Sequence, residues 1–269
     1  MKTGYLKSNR PLIMCFIPTY KESLDSKAFA VRATWGRRCD RMIFAADEVN
    51  KTFPTIKMGY PGRKMLWAKV RDTFEYFYDN YLDQYDWFYK GDDNTYVIVE
   101  NLRSFLAKYD PDKPWFFGHR FKAFLVEGYN SGGPGYVLSR GALRLLGPTL
   151  KMKTINSTCM PGNQTGTYRG EDFRMGECLE KVGVVPSRTL DEKGRELFHV
   201  FNPDGELTAI KNTEWYHFFN YYTHKSGFDC CSENSISFHY VGPQYMYAME
   251  YILYHLQPHV LQVQQNMQS

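Results

Sequence analysis

The sequence predicts an α/β fold in one continuous domain, and three observations carry that reading. The chain opens with a β-α-β pattern. An aromatic, β-favouring run, Trp87-Phe-Tyr, ends at Gly91 and gives way to Asp92, Asp93 and Asn94, so acid sits at a strand end, where open α/β sheets bind ligands. The chain has 269 residues, 43% of them hydrophobic, with no internal repeat or linker, which suits one large domain with a substantial core.

Taken in order, Leu12 to Ile17 reads as a buried strand bounded by Pro11 and Pro18. Asp25 and Ser26 are candidate N-caps for a helix carrying Ala28, Val31 and Trp35 and stopping at Gly36. Arg41 to Ala45 reads as the second strand. Pro61-Gly62 marks a turn, and Lys64 to Tyr81 shows helical spacing through Leu66, Val70, Phe74 and Phe77. After the acidic strand a helix runs through Val99, Leu102, Phe105 and Leu106, ended by Pro111 and Pro114. Trp115 to Phe117 is a short strand candidate, and Ser131-Gly-Gly-Pro-Gly135 is a glycine-rich bend before Tyr136-Val-Leu138, where backbone can approach a ligand closely. Lys151 to Gly170 reads as an exposed loop. A helix then starts with Glu171 and Asp172 and stops at Gly183. Beyond Pro186 the chain reads as irregular up to the aromatic cluster Trp215 to Tyr222. Ser237-Phe-His-Tyr240 is strand-like, and Pro243 opens a last amphipathic helix through Met249, Ile252, Leu253 and Leu256.

Net charge is +4 and no basic run reaches five residues, so no nucleic-acid partner is expected. No apolar stretch approaches the ~18 residues of a membrane span, and the first ten residues lack the apolar core of a signal peptide. Six cysteines, Cys15, Cys39, Cys159, Cys178, Cys230 and Cys231, contain no Cys-x-x-Cys pair of the zinc-binding kind. Asn156-Ser-Thr and Asn163-Gln-Thr are N-glycosylation acceptors, and together with the even cysteine count they favour an oxidising, lumenal environment.

Asp92, Asp93 and Asn94 offer hard oxygen donors of the kind that hold Mg²⁺ or Mn²⁺ against a diphosphate, although Gly-Asp-Asp-Asn is equally good turn chemistry. Arg63 and Lys69 flank the start of the helix after Gly62, where a phosphate can dock. Glu171 and Asp172 are acids at a helix start, which the macrodipole alone explains. His239, alternating with aromatics, reads by itself as a core histidine.

The order of the motifs carries more. Trp87-Phe-Tyr-Lys-Gly-Asp-Asp-Asn-Thr-Tyr-Val97, Ser131-Gly-Gly-Pro-Gly-Tyr-Val-Leu-Ser139, Gly170-Glu-Asp-Phe-Arg-Met-Gly-Glu-Cys178, the Trp215 cluster, and Cys230-Cys-Ser-Glu-Asn-Ser-Ile-Ser-Phe-His-Tyr-Val241 together resemble the core 1 β1,3-galactosyltransferases of glycosyltransferase family 31. The likeness runs from about Pro11 to Pro258. It implies a GT-A type fold with a Rossmann-like sheet, in a single catalytic domain 11–258 between a stem remnant (1–10) and a C-terminal tail (259–269).

The resemblance also implies an inverting, Mn²⁺-dependent transfer of galactose from UDP-galactose to the 3-hydroxyl of GalNAc O-linked to Ser or Thr of glycoproteins. By position, Asp172 is the catalytic base, and Asn94 and His239 are the metal ligands. Pro18, Gly62, Arg63, Lys69, Asp92 and Asp93 fall at the nucleotide, and Trp215, Tyr216, Gly133 and Glu171 at the acceptor. The implied disulfides are Cys15–Cys39, Cys159–Cys178 and Cys230–Cys231. A homodimer is implied, as is a Golgi-lumenal site of action with a type II anchor upstream of residue 1.

Two departures stand out. The family usually has three consecutive Asp where this chain has Asp92-Asp93-Asn94, and Pro61 replaces a residue that is usually acidic. They motivate a second expectation, a catalytically weak member acting as chaperone or partner of an active galactosyltransferase. A third keeps the reaction but transfers another sugar, such as N-acetylglucosamine.

Overall fold

The computed structural model describes residues 10–50, 53–60, 62, 65–152, 159–160, 170–208 and 214–257. Its main sheet has six strands: β1 (Ile13–Pro18), β2 (Arg41–Ala46), β3 (Thr55–Lys57), β4 (Trp87–Lys90), β6 (Phe116–Gly118) and β9 (Tyr136–Ser139). Their order is β3-β2-β1-β4-β9-β6. The first four run parallel, β1 pairing with β2 through Cys15↔Met42 and with β4 through Cys15↔Tyr89. β9 is antiparallel to both β4 and β6. A small sheet joins β10 (Phe198–His199), β11 (Ser237–Phe238) and β5 (Tyr96–Val97), and β7 (Arg120–Phe121) pairs with β8 (Tyr129–Asn130).

Strand period explains the layers. Ile13, Cys15, Ile17, Trp87 and Tyr89 face one core with Ala28, Val31, Trp35 and Leu102. Met14, Phe16 and Phe88 face the other with Trp67, Val70, Phe74 and Phe77. Because β1 is buried on both faces, it reads as a continuous apolar run. The α/β class predicted from the sequence is what is found.

The first helix, α1, begins before Asp25, which is exposed and caps nothing: it runs through Lys21–Ser23, a π-helical turn at Leu24–Ala28, and Phe29–Ala33. α2 spans Leu66–Tyr81, and α3 spans Val99–Leu106. α4, Arg140–Lys151, is absent from the sequence reading, because Gly141, Gly147 and Pro148 look like breakers. Instead the Ser139 hydroxyl caps it by accepting from the Ala142 N–H at 3.0 Å. Gly141 and Gly147 are where the helix presses onto the Asp112 backbone and the Tyr78 ring, leaving no room for a side chain.

α5 spans Glu171–Lys181, followed by Gly183 at φ +75°, as its C-terminal stop requires. α6 (Pro203–Leu207) occupies the stretch read as irregular, and α7 (Glu214–Phe219) carries the first part of the aromatic cluster. α8, Pro243–Tyr254, is turned differently from expectation. It buries Met246, Met249 and Glu250, while Ile252, Leu253 and Leu256 are exposed. The buried Glu250 explains the rotation: it meets Arg38 at 2.6 Å, Arg37 at 2.7 Å and the Tyr96 hydroxyl at 2.8 Å.

All three disulfides implied by the resemblance are present, Cys15–Cys39, Cys159–Cys178 and the vicinal Cys230–Cys231. Among the described residues no helix is long and apolar enough to cross a membrane. Arg63, Asn156, Asn163, Pro61, most of the 1–10 segment and the 259–269 tail lie outside the described residues.

Candidate functional site

Two adjoining cavities open at the carboxyl ends of β1 and β4 and share Leu66 and Asp92. The smaller, about 90 Å³, is lined by Pro18, Tyr20, Ser23, Lys27, Asp93 and Asn94 besides the shared pair. The larger, about 300 Å³, is bounded by Lys90, Gly132, Gly133, Glu171, Asp172, Trp215, His239 and neighbouring residues. Parallel strands place their carboxyl ends at this edge, and the turn after Lys90 presents three polar side chains in succession.

Lys90 organises the floor. It lies on a fully buried strand, and its ammonium meets Asp92 Oδ1 at 2.6 Å and Glu171 Oε2 at 3.2 Å and donates to the Gly132 carbonyl at 3.1 Å. Burial alone would lower its pKa; the carboxylates of Asp92 and Glu171 outweigh burial and raise it, so the ammonium keeps its proton. Glu171 is 4% exposed and accepts from the Tyr136 hydroxyl through Oε1 at 2.5 Å. Burial pushes its pKa up, against the pull of Lys90.

Asp172 sits beside it on α5. Oδ2 accepts from the Gly132 N–H at 3.0 Å and Oδ1 from its neighbour Phe173 N–H at 2.9 Å. Burial raises its pKa and those two backbone N–H groups partly restrain the rise, leaving an oriented carboxylate more basic than one in water.

The glycine bend is tied to β4 and the turn after it by three side chains: Tyr89 donates to the Pro134 carbonyl, Lys90 to Gly132, and Thr95 to Gly133 at 2.6 Å. Gly133 lies so close to the His239 ring that a Cβ would overlap it, and Gly135, at φ +81°, abuts Tyr89. On the other side of the ring, His239 Nε2 is 3.9 Å from Asp92 Oδ2.

That pair fits a shared ion, since hard cations bind oxygen at about 2.1 Å and two ligands of one ion stand at most about 4.2 Å apart. Imidazole and carboxylate suit Mn²⁺. Asn94 occupies the same turn, its backbone carbonyl accepting from the Val241 N–H at 2.8 Å. Asp93 is held by Lys27 at 3.6 Å. Asp92 was expected at the nucleotide and as a helper to the metal ligands Asn94 and His239, and it stands beside His239 at 3.9 Å.

Other expectations are relocated. Lys69 does not face a phosphate: it is fully buried, donates to the Thr19 carbonyl at 2.5 Å and lies over the Tyr20 ring, and burial lowers its pKa to about 8. Tyr216 points inward, 1% exposed and stacked on His119, so it supports the α7 helix instead of lining the cavity. Trp215, 45% exposed, does line it. Pro18 lies at the rim of the smaller cavity, and Gly62 adopts φ +72° in its turn. Lys90 and Lys27 were not singled out from sequence. A lysine in an otherwise apolar strand two residues before Asp92 was the available signal for the first.

A Fringe-like family model matches residues 13–204. Glycoprotein-N-acetylgalactosamine 3-beta-galactosyltransferase 1 of Xenopus laevis is 38% identical over 260 residues, covering 94% of this chain and 69% of that protein. Human chondroitin sulfate synthase 3 is 26% identical over 231 residues, covering 76% of this chain, which spans 25% of its length. Among solved structures, a glycosyltransferase involved in glycosylation of the major capsid of PBCV-1 aligns at 14% identity and TM-score 0.39, over 60% of this chain and 72% of that one. The family match and the relative that aligns nearly end to end with this chain agree with the motif order: the chain is a glycosyltransferase and belongs to the Fringe-like core 1 β1,3-galactosyltransferase family.

Proposed function

We propose that this chain transfers galactose, with inversion, from UDP-galactose to the 3-hydroxyl of GalNAc on Ser or Thr of glycoproteins, with residues 11–258 acting as one catalytic unit. The observation that supports this best is the shared cavity edge: Asp172 and Trp215 line the larger space, Asp93 and Asn94 the smaller, and Asp92 both.

In this reading Asp172, fixed by two backbone N–H groups, takes the proton from the acceptor hydroxyl. The hydroxyl oxygen attacks the anomeric carbon from the face opposite the diphosphate. Lys90 holds Glu171 and Asp92 in place, so the base helix and the acidic turn keep a fixed separation. Trp215 offers an indole face to the acceptor sugar, with Gly133 and Glu171 on the same wall. Asp92, Asn94 and His239 would hold Mn²⁺, which when bound neutralises charge on the departing diphosphate. The absence of any covalent nucleophile in this scheme agrees with a direct displacement. The reaction belongs in the Golgi lumen, which suits the three disulfides.

A second reading rests on Asn94, whose neutral side chain weakens the ion site: a family member that binds a partner galactosyltransferase and turns over little. The test measures UDP release from UDP-galactose with a GalNAc-O-Thr glycopeptide across Mn²⁺ concentrations. Turnover that falls about 1,000-fold in Asp172→Asn, with UDP affinity intact, is the expected outcome. Folded protein that is silent at every Mn²⁺ concentration, and stays so in Asn94→Asp, sinks the catalytic reading.

A further inference from the structure

The smaller cavity carries a charge that the scheme above leaves unused. Lys27 sits in the π-helical turn of α1, a backbone form enriched at functional sites. Leu24 and Ala28 anchor that turn in the core. The Lys27 side chain is 45% exposed and lines the cavity with Asp92, Asp93 and Asn94, its Nζ 3.6 Å from Asp93 Oδ1.

The neighbouring lysines are committed elsewhere. Lys69 is buried against Thr19 and Tyr20, and Lys90 against Asp92, Glu171 and Gly132. Lys21 pairs with Glu48 at 3.1 Å on the outer surface. Among the described residues, Lys27 is therefore the cation that lines the smaller cavity, beside the acidic turn whose Asp92 and Asn94 the proposed function sets against the ion and the departing diphosphate.

The acidic turn supports the same point. Of its three polar side chains, Asp92 is paired with Lys90, Asp93 with Lys27, and Asn94 is neutral. A metal ion in such sites links protein carboxylate to phosphate oxygen. An ammonium has three N–H donors, so one can stay on Asp93 while the others donate to phosphate.

We propose that Lys27 is a catalytic cation of this transferase, bridging Asp93 and the diphosphate and sharing with the divalent ion the neutralisation of the leaving group; this rests on the function proposed above. As the bond between the anomeric carbon and the diphosphate oxygen breaks, its electron pair stays on that oxygen. The acceptor oxygen forms the new bond, and its proton goes to Asp172. Lys27 keeps its own proton throughout and offsets the charge that appears on UDP.

UDP binding tests this without turnover, by calorimetry on the folded chain in EDTA and again in saturating Mn²⁺. Wild type binds UDP in EDTA, and Lys27→Gln binds about tenfold more weakly there, the worth of one charge-assisted contact. Lys27→Arg, which keeps the charge, stays close to wild type. In saturating Mn²⁺ the Gln variant loses less, about threefold or under, because the ion carries most of the charge. Equal affinity of wild type and Lys27→Gln in EDTA, or an equal loss in both variants, overturns the role of Lys27 and leaves the transferase reading standing. Wild type that binds UDP in neither condition overturns both.

Discussion

Around Asp92 the buried and half-buried carboxylates meet cations and backbone N–H groups, whereas beneath Trp215 buried polar groups are packed against one another. On the acidic side Lys90 serves Asp92 and Glu171, Lys27 serves Asp93, and Asp172 takes two N–H bonds. On the aromatic side, α7 stands on Tyr216, His119 and Asn220, with His119 Nε2 2.6 Å from the Asn220 amide oxygen and its Nδ1 3.7 Å from Glu196. Behind these lie His199, whose pKa burial lowers to about 3, and Glu206, whose pKa burial raises to about 7. His199 Nδ1 has no hydrogen-bond partner among the described residues. On the first side the cations and N–H groups pull against the burial that raises the pKa of Glu171 and Asp172. On the second, burial dominates, lowering the pKa of His199 and raising that of Glu206.

The largest effect that would break this contrast comes from the acidic side. Lys90→Met leaves Glu171 as an uncompensated buried acid and deprives the partly exposed Asp92 of its partner, and should cost about 3–5 kcal/mol of stability, read as a fall in urea midpoint. A loss under about 1 kcal/mol would mean the carboxylates are protonated in the fold and that pairing is not what holds them.

Next in size is the aromatic side's dependence on pH. Glu206 has a folded pKa above its unfolded one, so its contribution is fully present below about 4.5 and is lost as pH rises through about 7. Glu206→Gln keeps an acceptor for the Phe201 N–H and removes the titration. The variant should gain on wild type by up to about 3 kcal/mol between pH 4.5 and 8. Parallel stability curves for the two proteins would show that Glu206 does not titrate in this range on folding and that burial is not what sets its charge.

The smallest effect separates the two sides functionally. Trp215→Ala should raise KM for the glycopeptide about tenfold while UDP affinity stays unchanged. A matching loss of UDP binding would mean that the aromatic helix shapes both cavities, and the division would lose its meaning.

The same contrast explains what could be read in advance. The centre of the acidic side is local: Trp87 to Asn94 declares strand, stop and acids within eight residues, and the glycine run that packs on it is continuous in sequence. Helix α2 follows from periodicity alone. What escaped were side-chain directions. Lys69 looked like a phosphate cation because helical spacing does not say how deep a residue lies, and Tyr216 looked like a partner of Trp215 although adjacent helical positions diverge by about 100°. α4 was hidden because its glycines are close-packing sites, which composition cannot tell from breaks. The aromatic side draws His119, Glu196 and His199, Glu206, and Asn220 from four separate stretches, so no single window contained it.

The three disulfides differ in what they do to the unfolded chain. Cys15–Cys39 and Cys159–Cys178 span 24 and 19 residues, and each can withdraw about 3 kcal/mol of disorder from the denatured ensemble. Cys230–Cys231 joins neighbours and closes no loop, so it offers almost nothing of that kind. Its two sulfurs are already adjacent before any tertiary contact forms. The bond acts as a covalent bend installed ahead of folding, eight residues before His239, and it commits the direction in which that segment can approach the glycine run.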